Sequence, residues 1–256
     1  MPGGMAKNFT YIVCSLHGRS GKTLLARLLS DYLILQGDSP DLYDTDTIEK
    51  KLSSFFPSNT IAVDIDKVLS QMQLFDALAS SASAPRIVDI SHQAFGKFFK
   101  LMQESGFVAE ARERDNEPTI FYIVTREADS YTQGLALRGA FRDCHFVVVE
   151  NEQNGQPDRA TQNSPDYQTL MQHDLKMRLP ALDPMFATVI EDPYLSLSGF
   201  MQDPPAGMPA GRVSLAYMSL EARNAIRGWM KLVNTETHRI RETLRMRAAM
   251  AFRRPL

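Results

Sequence analysis

With 256 residues, 44% of them hydrophobic, the chain is long enough for one generous α/β domain with a substantial core. A formal net charge of −2 excludes a protein that coats nucleic acid along its whole surface, so any basic patch is local. No apolar run reaches membrane-spanning length and the first residues carry no signal-peptide core, which predicts a cytoplasmic protein without a transmembrane segment.

Phe9-Thr10-Tyr11-Ile12-Val13-Cys14 reads as a buried strand. Ser15 to Thr23 follows, as Ser-Leu-His-Gly-Arg-Ser-Gly-Lys-Thr. Leu24, Leu25, Leu28, Leu29, Tyr32 and Leu33 then recur at helical spacing and stop near Gly37. Strand, glycine-rich turn, Gly-Lys-Thr and helix together are the setting of a phosphate-binding loop. Gly18 and Gly21 let backbone N–H groups curl inward toward phosphate oxygens, and the helix start adds partial positive charge. In such a loop Lys22 reaches the β- and γ-phosphates and the Thr23 hydroxyl ligates Mg²⁺. Gly18, Arg19, Ser20, Gly21, Lys22, Thr23 and Leu24 are therefore the candidate nucleotide-binding residues. The strict pattern has one more glycine, where Leu16 stands, and an ordinary strand-to-helix turn is the bland alternative.

Asp41 to Asp46 reads as a short strand ending in two carboxylates, Asp44 and Asp46, with a brief helix from Thr47. Asn59 to Ile65 is a second apolar run, and Val68, Leu69, Met72, Phe75, Leu78 and Ala79 follow at helical spacing. Arg86 to Ile90 is a strand closed by Asp89, an acid suited to hold a Mg²⁺ shell. Phe95, Phe98, Phe99 and Met102 mark a helix that stops at Gly106. Thr119 to Thr125 is a strand, Leu135, Leu137 and Phe141 belong to a helix, and Cys144 to Val149 is a strand ending at Glu150-Asn151. Cys14 and Cys144 both stand in apolar runs and read as buried thiols.

This alternation predicts an α/β fold, a mostly parallel sheet with helices on both faces and a C-terminal helical extension. Ligands of such folds sit at the carboxyl ends of the strands. The 15–21 loop, Asp44, Asp46, Asp89, Thr125 and Asn151 all fall there. Beyond them, Asn151 to Tyr167 reads as a mobile polar loop, Ala187 to Ile190 as a last strand and Ser196 to Arg212 as irregular. A long helix is expected from Leu215, with Ile226, Trp229, Met230 and Val233 as its buried stripe. In the arginine-rich end, Ile240, Leu244, Ala248 and Ala251 share one face, while Arg241, Arg245 and Arg254 lie elsewhere. That end can pack on its own domain or a protein partner, contact a DNA backbone, or lie on a membrane surface.

His17 to Thr23 resembles the deviant phosphate loop of ParA/MinD-type ATPases, Lys-Gly-Gly-x-Gly-Lys-Thr/Ser. Asp44-Thr45-Asp46 resembles that family's Asp-x-Asp, Asp89-Ile90-Ser91 its switch II acid, and Val147 to Glu152 its strand ending in an adenine-reading asparagine. Asn151-Glu152 through Gly155 and the Trp229 helix look most like the conjugal-transfer TraL branch. The resemblance implies a slow, Mg²⁺-dependent ATPase that binds ATP and ADP, works as a switch and forms a nucleotide-dependent homodimer in plasmid partition or transfer. It implies catalytic roles for Lys22, Asp46 and Asp44, with Asp46 orienting the attacking water. It also implies metal contacts for Thr23, Asp89 and Asp46, and adenine recognition by Asn151. Residues 1–8 would be a flexible leader, 9–235 the nucleotide domain and 236–256 a basic helix or tail.

Two positions depart from the family pattern. His17 stands where the signature lysine belongs, and Arg19 replaces a glycine. Arg19 could supply the missing cation, or the sandwich dimer could be lost. Two other classes stay open. One is a small-molecule kinase or ATP-dependent ligase, for which Arg138 and Arg142 are available lid residues. The other is a non-hydrolysing nucleotide-binding interaction protein, which His17 favours. His17 and His92 can each touch phosphate, though neither reads as an acid–base catalyst; Arg126 and Glu127 read as capping the following helix.

Overall fold

The computed structural model describes residues 8–81, 84–192, 195–201 and 219–251. Most of the expected leader, residues 202–212, Leu215, the Ala251 side chain and Arg254 lie outside the described residues.

Seven strands form one sheet: β1 (Asn8–Cys14), β2 (Asp41–Asp44), β3 (Thr60–Ala62), β4 (Arg86–Asp89), β5 (Asn116–Val124), β6 (His145–Asn151) and β7 (Lys176–Leu179). Their order is β3-β2-β4-β1-β5-β6-β7, and every pairing is parallel. Because β1 lies between β4 and β5, the chain turns to both sides from it, and the loop after β1 opens at the switch point.

Strand side chains alternate between two cores. Ile12, Val88, Ile120, Tyr122 and Val148 face one side, under α3 (Val68–Ala79), α4 (Phe95–Glu104), α5 (Phe107–Glu113) and α6 (Ala128–Ala140). Tyr11, Val13, Ile87, Phe121 and Val147 face the other, under α1 (Lys22–Leu35) and α11 (Leu220–Ala251). Each fully buried Leu, Ile or Phe here contributes about 1.5–3 kcal/mol of transfer free energy. Leu179, α9 (Pro184–Ile190), α10 (Leu197–Met201) and the Ile226, Trp229, Met230, Val233 stripe form a third cluster.

The structure corrects the expected elements in five places, the first being that Leu197–Met201, inside the stretch expected to be irregular, forms helix α10. Ala187–Ile190 is the end of helix α9, which starts where Asp183 accepts from the Met185 N–H and Pro184 takes a first-turn position. The last strand is instead β7, whose Met177 and Leu179 are buried while Arg178 points out. The 151–167 stretch is no open loop: it holds a 3₁₀ turn (Glu152–Asn154), α7 (Arg159–Gln162) capped by Asp158, and α8 (Pro165–Met171) capped by Ser164. In α3 only the second half faces the core; Val68, Leu69 and Met72 are 68%, 67% and 59% exposed. The brief helix after Asp46 is α2 (Lys51–Phe55), and α11 runs unbroken through residues 235 and 236. Among the described residues, no helix is long and apolar enough to cross a membrane.

Candidate nucleotide site

The loop after β1 curls as its glycines require. Gly21 sits at φ 96 as the N-cap of α1, and Arg19 also takes a left-handed conformation at φ 57. A Cβ at Gly21 would lie 2.5 Å from Asn151 Nδ2, so side-chain bulk is excluded twice at this residue, by conformation and by the neighbour. Gly18 lies against the exposed His92 ring, 3.4 Å from where its Cβ would stand.

Lys22 is buried at the start of α1, and its Nζ donates to the His17 carbonyl at 2.7 Å and to Ser20 Oγ at 3.4 Å. Burial holds its pKa below the ordinary value, against the attraction of Asp89, Cys14 and Asp46. Asp89, at the end of β4, is buried and its Oδ1 has no hydrogen-bond partner among the described residues. Burial pushes it up to about 7, with repulsion from Asp44 and Asp46 in the same direction, while a hydrogen bond from Thr23 and the charge of Lys22 pull the other way.

An orphaned carboxylate oxygen beside a threonine hydroxyl and a lysine fits a Mg²⁺–phosphate group. Mg²⁺ takes few protein ligands and completes its shell with phosphate oxygens and water. Among the described residues, no cluster of three or more His, Cys, Asp or Glu able to hold a metal occurs.

The two acids after β2 have backbone duties. Asp44 is buried; it accepts from the Asp46 N–H at 2.9 Å, the Leu52 N–H at 3.1 Å and the Ser53 N–H at 3.4 Å. Its pKa is raised by burial, and those N–H groups oppose the rise. Asp46 Oδ1 accepts from the Ile48 and Glu49 N–H groups, shaping the turn toward α2. The Thr45 hydroxyl donates to the Asp89 carbonyl and accepts from the Ser91 N–H, so the ends of β2 and β4 are locked side by side.

Asn151 is buried at the end of β6; its Nδ2 donates to the Ser20 carbonyl at 3.0 Å, and Asn154 Nδ2 donates to the same oxygen at 3.1 Å. Leu24 packs toward the third apolar cluster.

Sequence reasoning missed the surroundings of His17. Its Nδ1 lies 2.9 Å from Thr125 Oγ1, its Nε2 lies 3.3 Å from Asp129, and Glu127 is 3.8 Å away. Glu127 has its pKa lowered by the Thr125 hydrogen bond, which outweighs a small burial cost, with Arg126 and His17 adding to the effect. The usable signal was the acidic first turn of α6, following a strand that ends beside the loop. Arg19, by contrast, is exposed and its guanidinium makes no hydrogen bond or ion pair among the described residues.

Arg138 and Arg142 lie away from the loop. They stand at the far end of the 13-residue helix α6, roughly 20 Å from its Glu127 cap, and flank the start of β6. Three arginines of α11 are paired within the chain: Arg241 with Asp38 at 2.6 Å, and on the surface Arg245 with Glu242 at 2.9 Å and Arg247 with Asp174 at 2.5 Å. Ile240, Leu244 and Ala248 are buried, so this face packs on the domain itself.

No family model and no curated protein matches the chain. Solved structures are similar in fold. The septum site-determining protein MinD complexed with Mg-ADP from Pyrococcus horikoshii OT3 is 15% identical, over 88% of this chain and 95% of that one, at a TM-score of 0.49. The MinD cell division protein of Aquifex aeolicus is 13% identical, over 88% and 95%, at 0.48. A plasmid partition protein from Borrelia burgdorferi is 12% identical, over 67% and 89%, at 0.44. At such identities the likeness concerns the path of the chain, and the chemistry rests on the residues described above.

Proposed function

We propose that the chain is an ATP-binding, slowly hydrolysing P-loop ATPase acting as a nucleotide-dependent switch of the ParA/MinD type, with a TraL-like role in plasmid partition or transfer. The observation that carries this reading is the buried Asp89, half-satisfied, facing Thr23 and Lys22 beside a loop that demands glycine at residue 21. Lys22 exchanges the His17 carbonyl for the β- and γ-phosphates. Thr23 and Asp89 would hold Mg²⁺, which would supply neutralisation of charge on the phosphate oxygens. Asp44 stays with its three N–H donors and stiffens the α2 turn; Asp46 keeps one oxygen on that turn and orients water with the other. Water attacks the γ-phosphorus, the bond to the β-phosphate oxygen breaks, and ADP and inorganic phosphate leave with the water's proton passed to solvent, so no acceptor molecule is needed. The ATP-bound form dimerises, Arg19 being the available cation at the loop's rim.

A second reading, a nucleotide-binding interaction protein without turnover, is favoured by the commitment of Asp44 and of one Asp46 oxygen to backbone N–H groups. The kinase reading loses its lid, because Arg138 and Arg142 stand at the other end of α6. Calorimetric titration with Mg-ATP, followed by phosphate release without an acceptor, separates these. Binding with slow release is expected. Binding without release points to the second reading, and no binding removes both.

A further inference from the structure

A second concave site lies at the opposite end of the sheet. Arg112 from α5, Arg138 from the end of α6, Arg142 from the turn after it, and Arg247 from α11 converge with His173 on a recess of about 370 Å³ at the start of β6. Phe141 and Phe146 line it, and both are buried. The recess and Asn151 lie at the two ends of the same seven-residue strand, roughly 20 Å apart, so this is no extension of the phosphate loop.

The charges facing it are unequal. Arg112 is held by the buried Glu117 at 3.2 Å and Arg247 by Asp174 at 2.5 Å, while the exposed Asp143 sits on the rim. Arg138 has no ion pair or hydrogen bond among the described residues. Arg142 donates its Nε to the Gly139 carbonyl at 3.2 Å and has no carboxylate partner among them. Positive potential collects there: burial lowers the pKa of His173, and Arg138 and Arg247 lower it further, against the Phe146 carbonyl and Asp174. The C-terminal dipole of α6 accounts for a cation near that helix end. It does not account for four guanidinium groups, three from different helices and one from the turn after α6, around one concavity.

We propose that this recess binds a compact phosphate-bearing small molecule, its oxyanion held by Arg138 and Arg142 with Arg112 and Arg247 at the sides. Guanidinium forks match phosphate oxygens in geometry as well as charge. The volume is that of a small-ligand pocket. Asp143 and Asp174 interrupt the basic rim, which disfavours an extended nucleic-acid backbone and tolerates a single anion.

The test is calorimetric titration of pyrophosphate into the full chain carrying Lys22→Ala, whose phosphate loop is disabled. The result does not depend on the nucleotide reading, since different residues and the other end of the sheet are probed. Saturable binding is expected, weakened about tenfold or more by Arg138→Ala with Arg142→Ala at unchanged circular dichroism. Arg138→Gln alone, which breaks no hydrogen bond or ion pair among the described residues, should weaken it several-fold if the double variant unfolds. Arg138→Lys should retain part of the affinity as a point charge. Absence of saturable binding, or affinity indifferent to these substitutions, overturns the proposal. So does a single-stranded oligonucleotide that binds more tightly than pyrophosphate through the same arginines.

Discussion

The side-chain amide of Asn151 donates to the Ser20 carbonyl at 3.0 Å, joining the end of β6 to the phosphate loop across 131 positions of chain. Its carbonyl oxygen meanwhile accepts from the Gln153 N–H at 3.2 Å, so both ends of the amide are engaged. Asn151 therefore acts as a clamp that helps define the loop. Loss of one such bond costs about 1 kcal/mol, near fivefold in affinity. Asn151→Ala should weaken ATP and GTP by the same factor in paired titrations. A loss confined to ATP would instead return Asn151 to an adenine-reading role.

Asp89 gives a pH signature. Its pKa is raised from 3.8 to about 7 in the fold, chiefly by burial. The unfolded chain therefore releases this proton at lower pH than the folded one. Stability of the ligand-free protein falls as pH rises from about 4 to about 7, by up to roughly 4 kcal/mol, and levels off above. Asp89→Asn removes the titration. Its melting temperature should exceed the parent's at pH 8 by about 5–10 °C, with much less difference near pH 4. Parallel curves for the two proteins would contradict this account of Asp89.

Arg27 and Asp31 form a buried pair on α1, 3.8 Å apart and each 2% exposed. Arg27 donates to the Ile190 and Leu195 carbonyls, and Asp31 accepts from the Ser198 N–H at 2.8 Å. The helix that carries Lys22 is thereby fastened to α9 and α10. Burial pulls Arg27 down to about 10 and pushes Asp31 up. Asp31→Ala would strand a buried guanidinium and should cost about 3–5 kcal/mol in urea unfolding. Arg27→Met with Asp31→Leu should cost less than Asp31→Ala alone; equal or greater cost would deny the pair its electrostatic role.

The β1, loop and α1 unit was legible because strand pattern, glycine geometry and Lys22-Thr23 fall within one contiguous stretch. The acids at strand ends were legible too, since a parallel sheet aims them at one edge. What was not legible depends on distant partners. Thr125 lies 108 positions from His17, and no local pattern announces their contact. An i,i+4 Arg27–Asp31 pair reads as a surface pair until α9 and α10 cover it. Thr188-Val189-Ile190 suggested a strand by its β-branched residues, and the Asp183-Pro184 cap overrode that preference. The strand β7 was hidden because four residues, Lys-Met-Arg-Leu, carry only two repeats of the alternation.

Arg19 and His17 differ in what binds them. His17 is occupied by Thr125, Glu127 and Asp129, while Arg19 is exposed and unpaired among the described residues. Two triphosphates facing each other across a dimer need cations between them. Arg19→Ala should weaken an ATP-induced dimer about tenfold and slow turnover, with monomer ATP affinity nearly unchanged. His17→Ala should do less, its ring being held by Thr125 and Asp129. Sedimentation with a non-hydrolysable ATP analogue checks both; an Arg19→Ala protein that dimerises like the parent would refute the assignment.

The most direct measurement of the central claim is Mg-ATP affinity of the parent and of Lys22→Ala, by calorimetry at neutral pH. Lys22 is buried, donates to the His17 carbonyl at 2.7 Å and stands beside Asp89, with no other loop cation turned inward. Saturable binding by the parent is expected, with a loss of a hundredfold or more, on the order of 3 kcal/mol, in a folded Lys22→Ala protein. Equal affinity in both proteins would contradict it.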